Sequence, residues 1–245
     1  MKSLITLIAL FLAAGGIGRC EEFSGSYEIV ALDRAEFPRY DGGWNPGSGA
    51  EVEFSGWKFF REGEELSWTD QDVFSTPAGD SAPCGGLDGA EKFFLIKSKG
   101  TVPSYAQRTL NQKIWKDDMF SVTMILPVSE GRAGMVVGRI QEGGEITGAV
   151  ALVRENDRYL LLDGEGELDV GIKAGGCPIG ASFVFTSDGT YTLQVNEMTD
   201  GGMIVDIGPR KPRLGGVPSV HTVSFFAEGG AECGFNDLQV ERLVE

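Results

Sequence analysis

An alternation of apolar and polar residues with a period of two constrains this chain more than any other feature. In DMFSVTMILPV, Phe120, Val122 and Met124 fall on one face of an extended segment, while Ser121 and Thr123 fall on the other. Short runs of this kind recur along the chain and are separated by breaks rich in Gly, Asn or Asp. Regularly spaced strands without helical periodicity are typical of an antiparallel sandwich. We therefore predict an all-β fold, an antiparallel β-sandwich.

Two segments give more specific predictions. The stretch ASFVFTSDGTYTLQVNEM contains two alternating runs joined through Ser187, Asp188 and Gly189, which is the pattern of a β-hairpin. The stretch SYAQRTLNQKIWK, residues 104–116, is compatible with a short helix or a strand. We predict a strand there.

The first twenty residues have the pattern of an export signal. Lys2 precedes an apolar run from Leu4 to Ala14, and the small residues GGIG follow. This run is shorter than the roughly 20 apolar residues of a membrane-spanning helix. We predict a signal peptide over residues 1–20 and one β-sandwich domain over 21–245, with an irregular segment over about 21–55. A lipid anchor on Cys20 is the alternative, but Arg19 replaces the small residue expected before it.

The charge of the chain excludes two classes of partner. Lys and Arg number 21 against 36 Asp and Glu, a net charge of −15. Nucleic acids and anionic membranes require basic surfaces, so neither is an expected partner.

No later stretch is apolar enough to insert into a membrane. We predict a secreted or periplasmic protein.

Four cysteines fit an exported protein with a disulfide. They are Cys20, Cys84, Cys177 and Cys233, and an oxidising compartment favours disulfide formation. The pairing stays open at this stage. No CxxC pair exists and His221 is the single histidine, which argues against a metal site built on cysteines.

The order of the strand segments resembles a known superfamily. The segments AGMVVGRI, ALVRENDRYLLLDGEG, FVFTSDGTYTLQVNEM and VSFFAEGGAECGFNDLQVERL resemble the concanavalin A-like lectin/glucanase superfamily over about residues 56–243. Laminin-G-like and 3-keto-disaccharide hydrolase-like jelly rolls are the nearest in pattern, and Phe235-Asn236-Asp237-Leu238 matches their closing strand. The resemblance implies a concanavalin A-like jelly roll. It implies no single activity, since this fold hosts lectins, hydrolases, lyases and adhesion modules.

The acidic strand LLLDGEGELDVG raises the question of catalysis. This strand resembles the E-x-D-x-E strand of laminarinase-type glycosidases, which belong to the same superfamily. In those enzymes the first Glu is the nucleophile and the last is the acid/base. Here Glu167 and Asp169 match the first two acids, but Gly171 occupies the last position. Retaining hydrolysis needs two carboxyl groups across the bond. We predict a half-buried strand with an acidic outer face and assign no catalytic residue.

The same acids suggest calcium, the one cofactor that the sequence brings into question. Calcium takes six to eight oxygen ligands, and calcium sites recur in the superfamily that the chain resembles. Alternating positions on one strand diverge, however, which argues against a shared ion. Both interpretations stay open for four carboxylates: Asp163, Glu165, Glu167 and Asp169.

The loop YDGGWNPGSG is a candidate sugar-binding surface. Carbohydrate sites stack sugar rings on Trp or Tyr beside polar groups that fix orientation, and Tyr40, Asp41, Trp44 and Asn45 form such a set. The alternative is that Trp44 fills one end of the sandwich. Arg139 ends AGMVVGR, where keto-disaccharide hydrolase-like domains often show an Arg after a G-x-hydrophobic-hydrophobic strand, so the resemblance points to a place on the concave face. The further polar motifs of those enzymes are absent from this sequence.

These features favour recognition over chemistry. His221 alternates with Val223 and Phe225, and no G-x-S-x-G nucleophile elbow accompanies it, so it is interpreted as a strand residue. We predict an exported, non-catalytic domain that recognises a carbohydrate or glycoconjugate. A polysaccharide hydrolase or lyase with an unrecognised site is the first alternative, and an adhesion module that binds a protein partner is the second.

Overall fold

The structure is a computed structural model that describes most of the predicted domain. The described residues are 26–50, 53–61, 64–66, 73–78, 92–99, 101, 103–114, 117–140, 146–199, 201–213 and 220–244. A single 3₁₀ turn, Pro38–Tyr40, is the helical element among them. None of the described residues forms a helix long and apolar enough to cross a bilayer. The predicted signal peptide, the Cys20 anchor and Cys84 lie outside the described residues.

The described residues form two eight-stranded antiparallel sheets. The first sheet has the order β14 (Ile204–Arg210), β13 (Tyr191–Glu197), β12 (Ile179–Phe185), β7 (Met119–Ile125), β16 (Glu232–Val244), β5 (Phe94–Lys97) and β4 (Phe74–Ser75), with β1 (Ser26–Asp33) also pairing with β16. The second sheet has the order β11 (Gly166–Lys173), β10 (Arg158–Asp163), β9 (Ile146–Glu155), β8 (Arg132–Ile140), β15 (Val220–Glu228), β6 (Ser104–Ile114), β2 (Lys58–Arg61) and β3 (Glu64–Glu65). The predicted antiparallel β-sandwich is confirmed.

The period of two decides which side chains enter the core. In β12, Ala181, Phe183 and Phe185 are buried, whereas Ser182 and Val184 between them are partly exposed. Successive side chains of a strand point to opposite faces of its sheet, so each strand gives one row to the core and one to the outside. A single large cluster of buried residues joins the inner rows of both sheets.

The closing motif FNDL contains a bulge in β16. Asp237 has a left-handed backbone conformation with a φ of 51°, and the pairing of β16 with β7 shifts register between Asn236 and Gln239. The Asn236 side chain is buried, accepts a hydrogen bond from the backbone N–H of Ala35 at 2.9 Å, and donates to Glu36. The bulge therefore fixes the chain that follows β1.

Both specific segment predictions are confirmed. Residues 104–114 of the ambiguous stretch form strand β6, and β12 pairs with β13 as an antiparallel hairpin. Part of the segment predicted to be irregular, about 21–55, is a regular strand: Ser26–Asp33 forms β1, which pairs with β16.

Candidate functional site

Trp44 lies inside the sandwich. Its side chain is 0% exposed, and its ring contacts those of Trp57, Phe59, Phe74, Phe94 and Phe235 at centroid distances of 4.7–6.0 Å. The prediction that this ring is exposed for sugar stacking is therefore wrong, because burial among aromatic side chains leaves neither face of the ring free for a ligand. The alternative interpretation, a Trp that fills one end of the sandwich, describes the observed position.

Tyr40 belongs to a buried ion-pair network. Its hydroxyl donates to Asp33 at 2.7 Å and accepts from Trp57 Nε1 at 3.0 Å. Arg108, buried on β6, donates to the same Asp33 carboxylate, and Arg39 donates to its other oxygen at 2.8 Å. Burial, and then the Asp33 charge, raises the pKa of Tyr40 well above its ordinary value. The network joins the 33–49 segment to the second sheet, and Tyr40 is occupied within it.

Asp41 and Asn45 stay at the surface of the loop. The Asp41 carboxylate lies 3.4 Å from Lys92 Nζ. The Asn45 amide donates to the carbonyl oxygens of Gly42 and Gly43, so it stabilises the loop itself. The four residues of this loop are therefore divided between the core and the surface.

Arg139 and His221 are placed only by their backbones. Arg139 lies in β8, where it pairs with Thr147 of β9, and His221 lies in β15 as its alternation indicates. Their side chains lie outside the described residues. The role suggested for Arg139 stays a prediction.

The acidic strand has the predicted half-buried form. Val170 and Ile172 of β11 are buried and Leu168 is partly buried, while Glu167 and Asp169 are exposed on the other side of this edge strand. Asp169 accepts hydrogen bonds from the Gly171 N–H at 2.9 Å and from Arg158 at 3.5 Å. This is the arrangement of a solvated outer row.

Asp163 forms a different structure, a clamp between the two sheets. It is buried at the end of β10 and accepts hydrogen bonds from Arg210 Nε at 2.5 Å and Nη2 at 2.9 Å, both on β14. The Tyr191 hydroxyl donates to it at 2.5 Å. Burial alone would raise the pKa of Asp163, but the hydrogen bonds from Arg210 and Tyr191 hold it below its ordinary value. One carboxylate thus ties the second sheet to the first.

Replacement of this carboxylate should reduce stability in a pH-dependent way. We expect Asp163→Asn to lower the free energy of unfolding by about 2–3 kcal/mol at pH 7, because Arg210 then loses its buried carboxylate partner and keeps only the more exposed Glu165. A carboxyl group whose pKa is depressed in the folded protein stabilises the fold fully above its unfolded pKa of about 3.9. This stabilisation is lost as the pH falls through the folded pKa. The difference between the proteins should therefore shrink below about pH 4 in urea titrations. Asp169→Asn, whose pair with Arg158 is exposed, serves as the control and should change stability by about 0.5 kcal/mol or less.

The four carboxylates do not form the calcium site that was considered. Asp163 is held by Arg210, and Arg210 also lies 3.6 Å from Glu165. Glu167 and Asp169 project from the outer side of β11. In the described ranges, no group of three or more His, Cys, Asp or Glu side chains is arranged to hold a metal ion.

The outer face of the first sheet carries a row of polar side chains in direct register. The Cα pairings run from Asp206 to Gln194, to Ser182, to Ser121 and to Gln239 across five neighbouring strands. We call these five residues the polar row. Four of the five alternate with buried neighbours, such as Leu193 and Val195 beside Gln194, and Asp206 lies between the partly buried Val205 and Ile207, so the row points away from the core.

Each end of the polar row is an amide paired with a carboxylate. Gln194 Nε2 donates to Asp206 at 2.8 Å, and Gln239 Nε2 donates to Glu241 at 2.6 Å. The two serines between them make no side-chain hydrogen bond to the described part of the chain. The row therefore presents hydroxyl groups in its centre, and amide and carboxylate oxygens at its ends.

The two sides of the polar row differ. On one side, Gly180 lies between Asn196 and Thr123 in the pairing, and a Cβ at Gly180 would approach Asn196 Oδ1 to 2.2 Å. On the other side, partly exposed Val184 and Met119 are paired neighbours. The Asn196 side chain therefore covers Gly180, and the face combines a polar area, a hydrogen-bonding row and an apolar strip.

The polar row is not recognisable from the sequence pattern, for a physical reason. Ser121 and Thr123 are recognisable from the sequence as outward residues of β7. Which residues of the other strands stand beside them is decided by strand register, and a shift of one residue would turn each strand over. The available signal was that most outer positions of β7, β12 and β13 are small or uncharged polar residues.

The two described cysteines differ in state. Cys177 is disulfide-bonded. Cys233 is free and buried, and burial raises the pKa of its thiol to about 12. Such a thiol is protonated at neutral pH and is not a nucleophile.

Comparisons with known proteins show likeness of fold. No protein family and no curated protein matches the sequence of the chain significantly. Among solved structures, a sialidase matches at 11% identity and a TM-score of 0.42, over 70% of this chain and 17% of the sialidase chain. This chain thus corresponds to a small part of that protein.

Two other solved structures match over most of their own length. The carbohydrate esterase vb_24B_21 from Shiga toxin-encoding bacteriophage phi24B matches at 10% identity and a TM-score of 0.49, over 89% of this chain and 100% of the esterase. The exoplasmic/lumenal domain of VIP36, in its Ca2+/Man3GlcNAc-bound form, matches at 10% identity and a TM-score of 0.41, over 72% and 86%. At these identities and TM-scores, the matches carry no argument about activity.

Proposed function

We propose that this protein is an exported domain that recognises a carbohydrate or glycoconjugate without cleaving it. The single observation that carries the proposal is the polar row on the outer face of the first sheet. The loop around Trp44 does not carry it, since that ring is buried in the core.

The chemistry of the polar row suits sugar hydroxyl groups. A sugar hydroxyl both donates and accepts, and the row offers partners of both kinds: serine hydroxyls, the Gln194 and Gln239 amides, and the Asp206 carboxylate. The adjoining Val184 and Met119 offer apolar contact to the C–H faces of a sugar ring. The row also lies on paired strands, which hold such groups in fixed positions.

Two observations support export. The sequence pattern of residues 1–20 is that of a signal peptide. The disulfide at Cys177 fits an oxidising compartment, because disulfides are rare in the reducing cytosol.

A binding experiment with matched variants tests the proposal. Protein from the exported fraction, after its first residue is read by N-terminal sequencing, is applied to a glycan array with and without calcium. We expect binding to a subset of glycans and about a thirtyfold loss of affinity when Gln194→Ala and Ser182→Ala are combined, since each lost hydrogen bond is worth about 1 kcal/mol. Gln107→Ala, on the outer side of the second sheet, is the matched control and should bind normally.

A reducing-sugar assay on the bound glycans distinguishes the alternatives. Binding without product supports recognition. Steady release of reducing ends would show a hydrolase instead. Absence of binding to every glycan would favour the adhesion module, and equal binding by the Gln194/Ser182 variant would move the site away from the polar row.

A further inference from the structure

We propose that the polar row selects uncharged, extended oligosaccharides and rejects anionic ones such as uronates or sulfated glycans. This inference rests on the proposed function and specifies its ligand class. It follows from the charges on the five strands that carry the row and from the direction in which the row runs.

The five strands present acidic side chains outward, and their basic side chains are paired with carboxylates. Arg210 and Arg242 are the only Lys or Arg residues in β7, β12, β13, β14 and β16. Arg210 is bound to Asp163 at the edge of the sandwich, and Arg242 donates to Asp118 at 3.0 Å. No cation of these strands is therefore directed at a ligand on the outer face.

The carboxylates stand at both ends of the row. Asp206 lies on β14 and Glu241 on β16, each oriented by the amide of a neighbouring Gln. A carboxylate accepts strong hydrogen bonds from neutral hydroxyl groups and repels another anion. The net charge of −15 acts in the same direction at longer range.

The geometry of the row favours a chain of sugars over a single ring. The row crosses five strands, so it extends over roughly 19 Å at the usual strand spacing of about 4.8 Å. Similar groups repeat along it, with an amide and a carboxylate near each end and serines between. A ligand that contacts both ends must be an extended oligosaccharide.

Matched pairs of oligosaccharides test the charge selectivity. The probes are cellohexaose and mannohexaose, each compared with its C6-oxidised uronate, in titrations at low salt. We expect at least about fivefold tighter binding of the neutral member, and a smaller difference at 0.5 M salt because the charges are then screened.

Two double variants locate the effect. Asp206→Asn with Glu241→Gln should raise uronate binding about fourfold, since each carboxylate at roughly 10 Å in water changes affinity about twofold. Glu167→Gln with Asp169→Asn removes the same charge from the second sheet and should leave the preference unchanged. Thermal melting of both variants checks that they are folded.

The outcomes separate this inference from the proposed function. Equal or tighter binding of the uronates would overturn the charge selectivity while carbohydrate recognition stands. A shift caused equally by both double variants would assign the preference to overall charge and overturn the role of the row. Absence of binding to all hexamers, together with a silent glycan array, would overturn both proposals.

Discussion

Trp44→Ala should destabilise this protein by about 4 kcal/mol and should do so without a specific effect on ligand binding. Removal of a buried Trp or Phe side chain costs roughly 3–5 kcal/mol, because apolar contact is lost and a cavity remains. Trp44 is surrounded by five aromatic residues that lie in strands or directly before one. These residues cannot all move into the cavity that the removed indole ring leaves. Urea unfolding followed by circular dichroism measures the change.

Trp44→Phe is the control for this prediction. The smaller ring keeps most of the aromatic contacts, and it removes an indole N–H that has no hydrogen-bond partner among the described residues. We expect a loss of about 1–2 kcal/mol. Unchanged stability of Trp44→Ala, combined with loss of glycan binding, would contradict the core position and return this ring to the ligand site.

The buried position of Trp44 could not be predicted from the sequence, whereas the sheets could. The period-two runs predicted the sheets, since burial of one face imposes that period on β7, β12 and β13 directly. A loop has no such period. Whether a Trp in a Gly- and Pro-rich loop folds inward depends on the space that distant strands leave at the end of the sandwich, here beside Phe94 and Phe235.

The polar row and the acidic strand show the same difference. The burial of β11 was predictable because Leu168, Val170 and Ile172 occupy alternate positions within one strand. The polar row joins residues 121, 182, 194, 206 and 239, which become neighbours only through four separate strand pairings. The Asp163 clamp likewise depends on the contact between β10 and β14, which no local pattern contains.

Asp33→Asn should destabilise the protein by about 3–5 kcal/mol, an effect similar to that of Trp44→Ala. Asp33 and Arg108 are both fully buried, and removal of one member of a buried pair leaves an uncompensated charge. Burial lowers the pKa of Arg108, while the Asp33 carboxylate opposes that shift and stabilises the charged guanidinium. Asn keeps a single acceptor oxygen, so Arg39 and Tyr40, which donate to different oxygens of Asp33, cannot both keep their hydrogen bonds in this variant.

A double-mutant cycle separates the pair from its surroundings. Arg108→Met should cost less than Asp33→Asn, because Asp33 then keeps Arg39 and Tyr40 as partners, whereas Arg108 loses its only carboxylate among the described residues. The combined variant should be more stable than the sum of the two changes predicts, since no buried charge is left unpaired. Urea midpoints for the four proteins test this, and strict additivity would show that Asp33 and Arg108 do not stabilise the fold through each other.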